Sequence, residues 1–170
     1  PPLGNVTTVI PGLGSDSSVS WSQAIDTAGL PVLDGDHTML IQATDSDANT
    51  ATDSITFKVD NTDPIISIVS PVDGATVSGT INITGTADDE DGAGGEGNDI
   101  SSVEISFDGG AYMACNNDGG DYENWSYNNW VTGANGLHYI TVRATNECGK
   151  VAIHTIDVIV DNGTDVPVIT

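Results

Sequence analysis

The 38 residues from Trp125 to Asn162 repeat, in looser form, the 41 residues from Trp21 to Asn61. His37 maps onto His138, and Asp60-Asn61 onto Asp161-Asn162, each at an offset of 101 positions. The stretch from the histidine to the Asp-Asn exit is therefore equally long in both copies. A period of about a hundred residues is that of serial domains rather than of one enzyme core.

Composition supports small domains. With 170 residues, 38% of them hydrophobic and 5% aromatic, the chain has material for one or two modest cores. Its 25 Asp and Glu stand against 3 Lys and Arg, a formal charge of -22, which repels phosphate backbones and anionic membranes and excludes nucleic acid as a partner. The carboxylates favour solubility, divalent cations and a salty or extracellular setting, although a solvated acidic surface with no specific ion accounts for them equally well. No run approaches the roughly 18 apolar residues of a membrane-spanning helix. The opening PPLGNVTTVI has no signal-like pattern, and the chain reads as a window cut from something longer.

Strand periodicity dominates. Ile140, Val142 and Ala144 alternate with Tyr139, Thr141 and Arg143, and the equivalent segment alternates Met39, Ile41 and Ala43 with polar neighbours. After a turn at Asp45–Asn49 or Asn146–Gly149, a second strand turns Ile55, Phe57 and Val59, or Ile156, Val158 and Val160, inward. Each copy thus ends in a hairpin. Further strands are expected at Ile65–Ser70, Thr80–Ala87, Ile100–Phe107, Ala111–Cys115 and around Trp125. Seven strands in about a hundred residues is the size of an immunoglobulin-like sandwich.

The Trp-Ser strand, the Gly-Asp-His-Thr or Gly-Leu-His-Tyr stretch, the Ala-Thr-Asp or Ala-Thr-Asn before the hairpin turn and the closing Val-Asp-Asn-Thr-Asp-Pro carry a resemblance. So does Ser70–Gly79, which looks like a first-strand turn. The chain resembles the tandem bacterial and archaeal immunoglobulin-like domains of large cell-surface or secreted proteins. That resemblance implies an all-β fold of tandem immunoglobulin-like β-sandwiches and an extracellular or cell-surface setting. It also implies a non-catalytic structural or adhesive role in a stalk, surface layer or filament, with neighbouring domains or identical subunits as partners.

The expected domains are a partial unit over 1–61 that lacks its first two strands, a complete unit over 62–162, and a linker with a first or donor strand over 163–170. Val6, Thr8 and Ile10 match Val103, Ile105 and Phe107, but nothing in the first copy matches Ile65–Ala87. A tail strand Val166–Thr170 donated to a neighbouring molecule's incomplete unit would generate a head-to-tail filament.

Hard oxygen ligands at the junction between copies point to Ca²⁺. The expected ligands are Asp60, Asp63, Asp89 and Asp36, and calcium-stiffened junctions are also what the resemblance implies. Asp45–Asn49 begins like an EF-hand loop, but Thr50 and Thr56 replace the required Gly and Glu, which leaves a hairpin turn. The Asp88–Asp99 run reads as a solvated Gly/acid loop, with a metal cage or an exposed binding tip as the alternatives.

Cys115 and Cys148 form the available disulfide pair, expected at the head of the second unit and contributing roughly 3 kcal/mol in an oxidising compartment. His37, His138 and His154 are scattered and read as structural. Asn5, Asn82, Asn124 and Asn162 are N-x-S/T sequons, of which Asn82 and Asn124 should face solvent. With Trp125 in the core like Trp21, the aromatic residues Tyr122, Tyr127 and Trp130 remain as a glycan-stacking platform, the alternative function. No nucleophile–base pair, phosphate loop or hydrolase elbow is present in the sequence, so catalysis is not expected.

Overall fold

The computed structural model describes residues 6–7, 22, 24, 34–89 and 100–163. Asn5, Thr8, Ile10, Trp21, the acidic loop over 90–99 and the tail Val166–Thr170 lie outside the described residues. The chain divides into two compact units, Pro1–Asn61 and Thr62–Thr170.

In the first unit a long antiparallel hairpin joins β2 (Gly35–Thr44) to β3 (Thr50–Val59), and β1 (Val6–Thr7) lies beside β2. Val6, expected to match Val103 in a third strand, pairs beside this hairpin in a different direction and register. Val6 pairs with Ile41 in parallel, whereas Ile105 pairs with the equivalent Val142 antiparallel.

The second unit packs two sheets. One has the order β4 (Ile65–Ser70), β6 (Thr80–Asp88), β10 (Asn124–Val131), β9 (Asn116–Asn117). The other has the order β5 (Ala75–Val77), β12 (Val151–Val160), β11 (Gly136–Asn146), β7 (Ile100–Phe107), β8 (Met113–Ala114). This is the four-strand against G-F-C arrangement of an immunoglobulin sandwich. Alternation does the work: Ile83, Ile105, Ile140, Val142 and Val158 are fully buried, with Val103 and Trp125 at 1% exposure. Each such side chain stabilises by about 1.5–3 kcal/mol.

Two expectations about strands need revision. Ser70–Gly79 contains more than a turn, because after the cis Ser70–Pro71 bond the chain changes sheets and Ala75–Val77 pairs in parallel with Val158–Val160, covering the edge of β12. Three residues are too few to show alternation, so no periodicity marked this strand. The strand expected over Ala111–Cys115 is paired only at Met113–Ala114, and at Cys115 the chain crosses to the other sheet as β9.

The duplication is repeated in atomic detail. Gly35↔Val59, Met39↔Ile55 and Thr44↔Thr50 in the first hairpin correspond to Gly136↔Val160, Ile140↔Ile156 and Thr145↔Val151 in the second, all at the 101-residue offset. The turns agree as well. The Asn49 N–H donates to Asp45 Oδ1 at 2.8 Å, and the Lys150 N–H to Asn146 Oδ1 at 2.8 Å. Ala48 (φ 65°) and Gly149 (φ 83°) both take the left-handed conformation that closes such a turn. At the exits, the Asn61 N–H donates to Asp34 Oδ1 and the Asn162 N–H to Asn135 Oδ1, each at 2.8 Å.

Candidate functional site

Trp125 organises the sandwich from β10. It pairs with Gly85 on β6, and its indole lies across the glycine. A Cβ at Gly85 would overlap both the Trp125 ring and the Ser67 carbonyl oxygen.

Two residues further along β10 the register slips between Tyr127 and Trp130, with Asn129 at φ 61° and its N–H donating to Asn82 Oδ1 at 3.0 Å. One extra residue reverses the phase of a strand. Tyr127 (opposite Ile83) is inward in phase with Trp125, and the bulge turns Trp130 (opposite Ile81) inward as well. Trp130 stacks on Phe107 at 4.6 Å with planes 7° apart, and Tyr127 tilts against the same ring at 5.6 Å. Tyr122 also packs on the core. Tyr122, Tyr127 and Trp130, expected as a glycan platform, are partly buried and pack against the core, Trp130 through a bulge that plain alternation along β10 hides.

The four expected calcium ligands divide between the units, Asp36 and Asp60 in the first, Asp63 and Asp89 in the second. Asp36 lies opposite Lys58 in the hairpin register. Asp63 stands 3.8 Å from Lys150. Asp89 is 3% exposed and accepts a hydrogen bond from Asn146 Nδ2 at 3.0 Å, so it is held inside the second unit rather than presented to solvent. Among the described residues no group of three or more His, Cys, Asp or Glu side chains converges on a metal position.

The expected disulfide is also corrected. Cys115 N–H donates to the Val103 carbonyl, which puts Cys115 beside β7 on the side away from β11. Cys148 lies in the β11–β12 turn beyond Asn146. With two strand spacings of about 4.8 Å between the columns and several residues along them, the pair exceeds the roughly 7 Å Cα limit of a bridge. The Cys115 thiol is buried in the core, and burial, helped by the negative charge of Glu104, pushes its pKa up to about 12. Cys148 is exposed.

The histidines are structural, each differently. His138 Nδ1 meets Asp108 Oδ2 at 2.7 Å and its Nε2 meets the Ala134 carbonyl at 2.8 Å, while Asp108 Oδ1 accepts the Tyr139 N–H. Both ring nitrogens thus face acceptors, which favours the imidazolium. The Asp108 hydrogen bond raises the His138 pKa, and the same bond lowers that of Asp108. His37, its equivalent, is buried and sits 6.1 Å from the Phe57 ring. His154 Nδ1 accepts the Ile68 N–H at 3.1 Å and ties β12 to β4 across the sandwich.

Of the described sequons, Asn82 and Asn124 are exposed, as expected, but Asn82 accepts the bulge N–H. Asn162 fastens the exit: its Oδ1 accepts from Gly79 N–H at 2.9 Å and from the Thr132 hydroxyl at 3.1 Å, and its Nδ2 donates to the Gly133 carbonyl at 3.0 Å. Asn124 lines a polar cleft of about 530 Å³ with Asp88, Asp121 and Glu123.

A surface that sequence reasoning missed is the outward face of the five-stranded sheet. Leu137, Tyr139, Val151, Ile153 and Ile159 are 54%, 48%, 45%, 60% and 47% exposed there. The signal was available in the alternation itself, since these are the residues between the inward ones.

No curated protein matches the chain. Among solved structures, it is similar to the endo-beta-1,4-mannanase from Thermotoga petrophila at 17% identity and a TM-score of 0.49, with 61% of this chain and 21% of that one covered. It is similar to CopC from Methylosinus trichosporium OB3b at 14% identity and a TM-score of 0.42, over 61% of this chain and 100% of that one. For the PKD1 domain of Vibrio anguillarum Epp the values are 16% identity, a TM-score of 0.39, and 61% and 99% coverage. This chain thus spans about a fifth of the mannanase's length, at 21% of it. Residues 64–142, from just before β4 into β11, match the family described as bacterial Ig domain.

Proposed function

We propose that this chain is a segment of a tandem array of immunoglobulin-like units in an extracellular surface protein, with a structural or adhesive rather than a catalytic role. The observation that carries this reading is the pair-for-pair identity of register between the β2–β3 and β11–β12 hairpins, down to the exit bonds Asn61–Asp34 and Asn162–Asn135. Two units that close in the same way and leave on the same Asp-Asn step suit serial repetition. The acidic charge of -22 suits a solvated, extended array whose parts repel one another. Antibodies raised against the chain should label intact cells of its source. Labelling that appears only after lysis would overturn the surface assignment.

A second reading, a subunit polymerising by strand donation, rests on a difference between the copies. Ile55 is 46% exposed, whereas its equivalent Ile156 is 3% exposed, and among the described residues the sheet of the first unit ends at β3. In the second unit β5 covers the same edge of the equivalent β12. A strand added in parallel at Phe57–Val59 would supply that cover.

A further inference from the structure

The two hairpins provide a control within one chain, because matching registers make every position comparable. Most inward positions are apolar in both: Met39 and Ile140, Ile41 and Val142, Ile55 and Ile156, Phe57 and Val158, Val59 and Val160, with His37 and His138, and Asp53 and His154, in the same phase. Outward positions differ systematically. Where the second copy has Leu137, Tyr139, Val151, Ile153 and Ile159, the first has Asp36, Thr38, Thr50, Thr52 and Lys58. The one exchange in the opposite sense is Thr141 for Leu40. The hairpin thus forms with a polar outer face, so its closure does not require the exposed apolar residues of the second copy. Such residues on a solvent face mark an interaction surface.

The layout of the face identifies its occupant. Thr141 and Thr155, hydroxyls 3.0 Å apart, lie at its centre. Leu137 pairs with Ile159 two steps to one side, and Val151 pairs with Thr145 two steps to the other. One step out stand Tyr139 beside Asp157 and Ile153 beside Arg143. A copy turned end for end about that centre keeps β11 over β11 and β12 over β12, so that Ile159 meets Val151 twice over and Tyr139 meets Arg143.

Charge agrees with a like partner. Arg143 is spent on Glu104 (2.6 and 3.2 Å) and lies 4.2 Å from the centroid of the Tyr112 ring, which leaves Asp157 as the remaining charge among the outward side chains of β7, β11 and β12. In a chain of net charge -22, a nearly neutral face is where two copies approach with least repulsion. The size also suffices: eleven residues of β11 at about 3.3 Å and about four strands at about 4.8 Å cover roughly 700 Å², close to the ~800 Å² per partner of a standard interface.

We propose that the outward face of the five-stranded sheet pairs two copies of this chain, sheet to sheet and antiparallel, about a two-fold axis through Thr141 and Thr155. This lateral contact goes beyond the serial arrangement proposed above and is independent of strand donation, which would use the first unit.

Sedimentation equilibrium of the 170-residue chain from micromolar to near-millimolar concentration tests it. The wild type should dimerise, more tightly as salt screens its charge. Ile153→Thr with Ile159→Lys, residues that the first hairpin already accommodates, should raise the dimer dissociation constant by at least about tenfold with the melting temperature unmoved. Thr141→Cys in a Cys148→Ser background should form a covalent dimer under mild oxidation, which reads the two-fold axis directly. A monomeric wild type overturns the proposal. So does association that Ile153→Thr/Ile159→Lys leaves intact while Ile55→Asp abolishes it, because the contact would then belong to the first unit. A dimer that Thr141→Cys fails to cross-link overturns the axis.

Discussion

Gly85→Ala is the sharpest test of how the second unit is held together. A methyl at this position meets two groups at once, the Ser67 carbonyl oxygen on β4 and the indole of Trp125 on β10. Neither yields cheaply: the carbonyl belongs to a paired strand, and the indole is 1% exposed with its rotamer fixed by packing. Overpacking of a tight core costs about 1–3 kcal/mol. Two rigid obstacles place this substitution at the upper end or above it, and the roughly 0.5–1 kcal/mol that alanine gains over glycine in a strand offsets only part. A net loss of about 2–3 kcal/mol follows, which for a unit of this size lowers the melting temperature by roughly 10–20 °C. Urea unfolding followed by tryptophan fluorescence measures it. Pairing Gly85→Ala with Trp125→Leu should recover part of the Gly85→Ala loss and leave the Ser67 share, a coupling that a double-mutant cycle isolates. A Gly85→Ala loss below about 0.5 kcal/mol would mean that the indole does not lie across Gly85, and the packing argument would fall.

The His138–Asp108 bond makes stability depend on pH in a defined window. The raised His138 pKa contributes stability that is complete below its ordinary value near 6.5 and is lost as pH rises through the folded value; the lowered Asp108 pKa contributes stability present above about 4 and lost as pH falls through its folded value. Melting temperatures should therefore form a plateau between these limits, and His138→Gln should flatten the alkaline side; an alkaline limb unchanged by that substitution would refute the assignment. Thiol chemistry separates the two cysteines. With its pKa pushed up to about 12 by burial, Cys115 should resist alkylation in the native chain while exposed Cys148 reacts. Mass spectrometry should show one label before unfolding and two after, and a bridged pair would show none in the absence of reductant.

Much of the fold was legible because alternation marks most of the long strands. Ile65–Ser70 and Ile100–Phe107 have the expected bounds, and both hairpins keep a period of two over their length. What escaped was set by single residues that alter phase or direction. Asn129 in the left-handed region turns Trp130 inward, and no periodicity in NWSYNNWV announces it. Cys115 goes into the core because the chain leaves one sheet for the other there, on the side of β7 away from β11, and strand directions alone do not show the columns that separate it from Cys148. Asp89 looked like a ligand because carboxylates are read as solvated, yet Asn146, 57 residues away, is the partner that accommodates it inside. Contacts of that range have no local signature.

The copies diverge in a way that separates what the fold demands from what it leaves open. Inward side chains, turn bonds and exit bonds agree between the hairpins because each is fixed by closure: altering one exposes core or strands a backbone N–H. Asn162 shows how strong this constraint is, since it accepts Gly79 and Thr132 and donates to Gly133 while its own N–H is held by Asn135. A glycan would leave Nδ2 a single N–H for that donation, which makes Asn162 a fastening of the exit before it is a sequon. Outward positions answer to no such demand, and there five of the second copy's positions are apolar where the first copy is polar. A face that folding leaves open, and at which Leu137, Tyr139, Val151, Ile153 and Ile159 replace polar residues of the first copy, is where the pairing proposed above sets the two units apart.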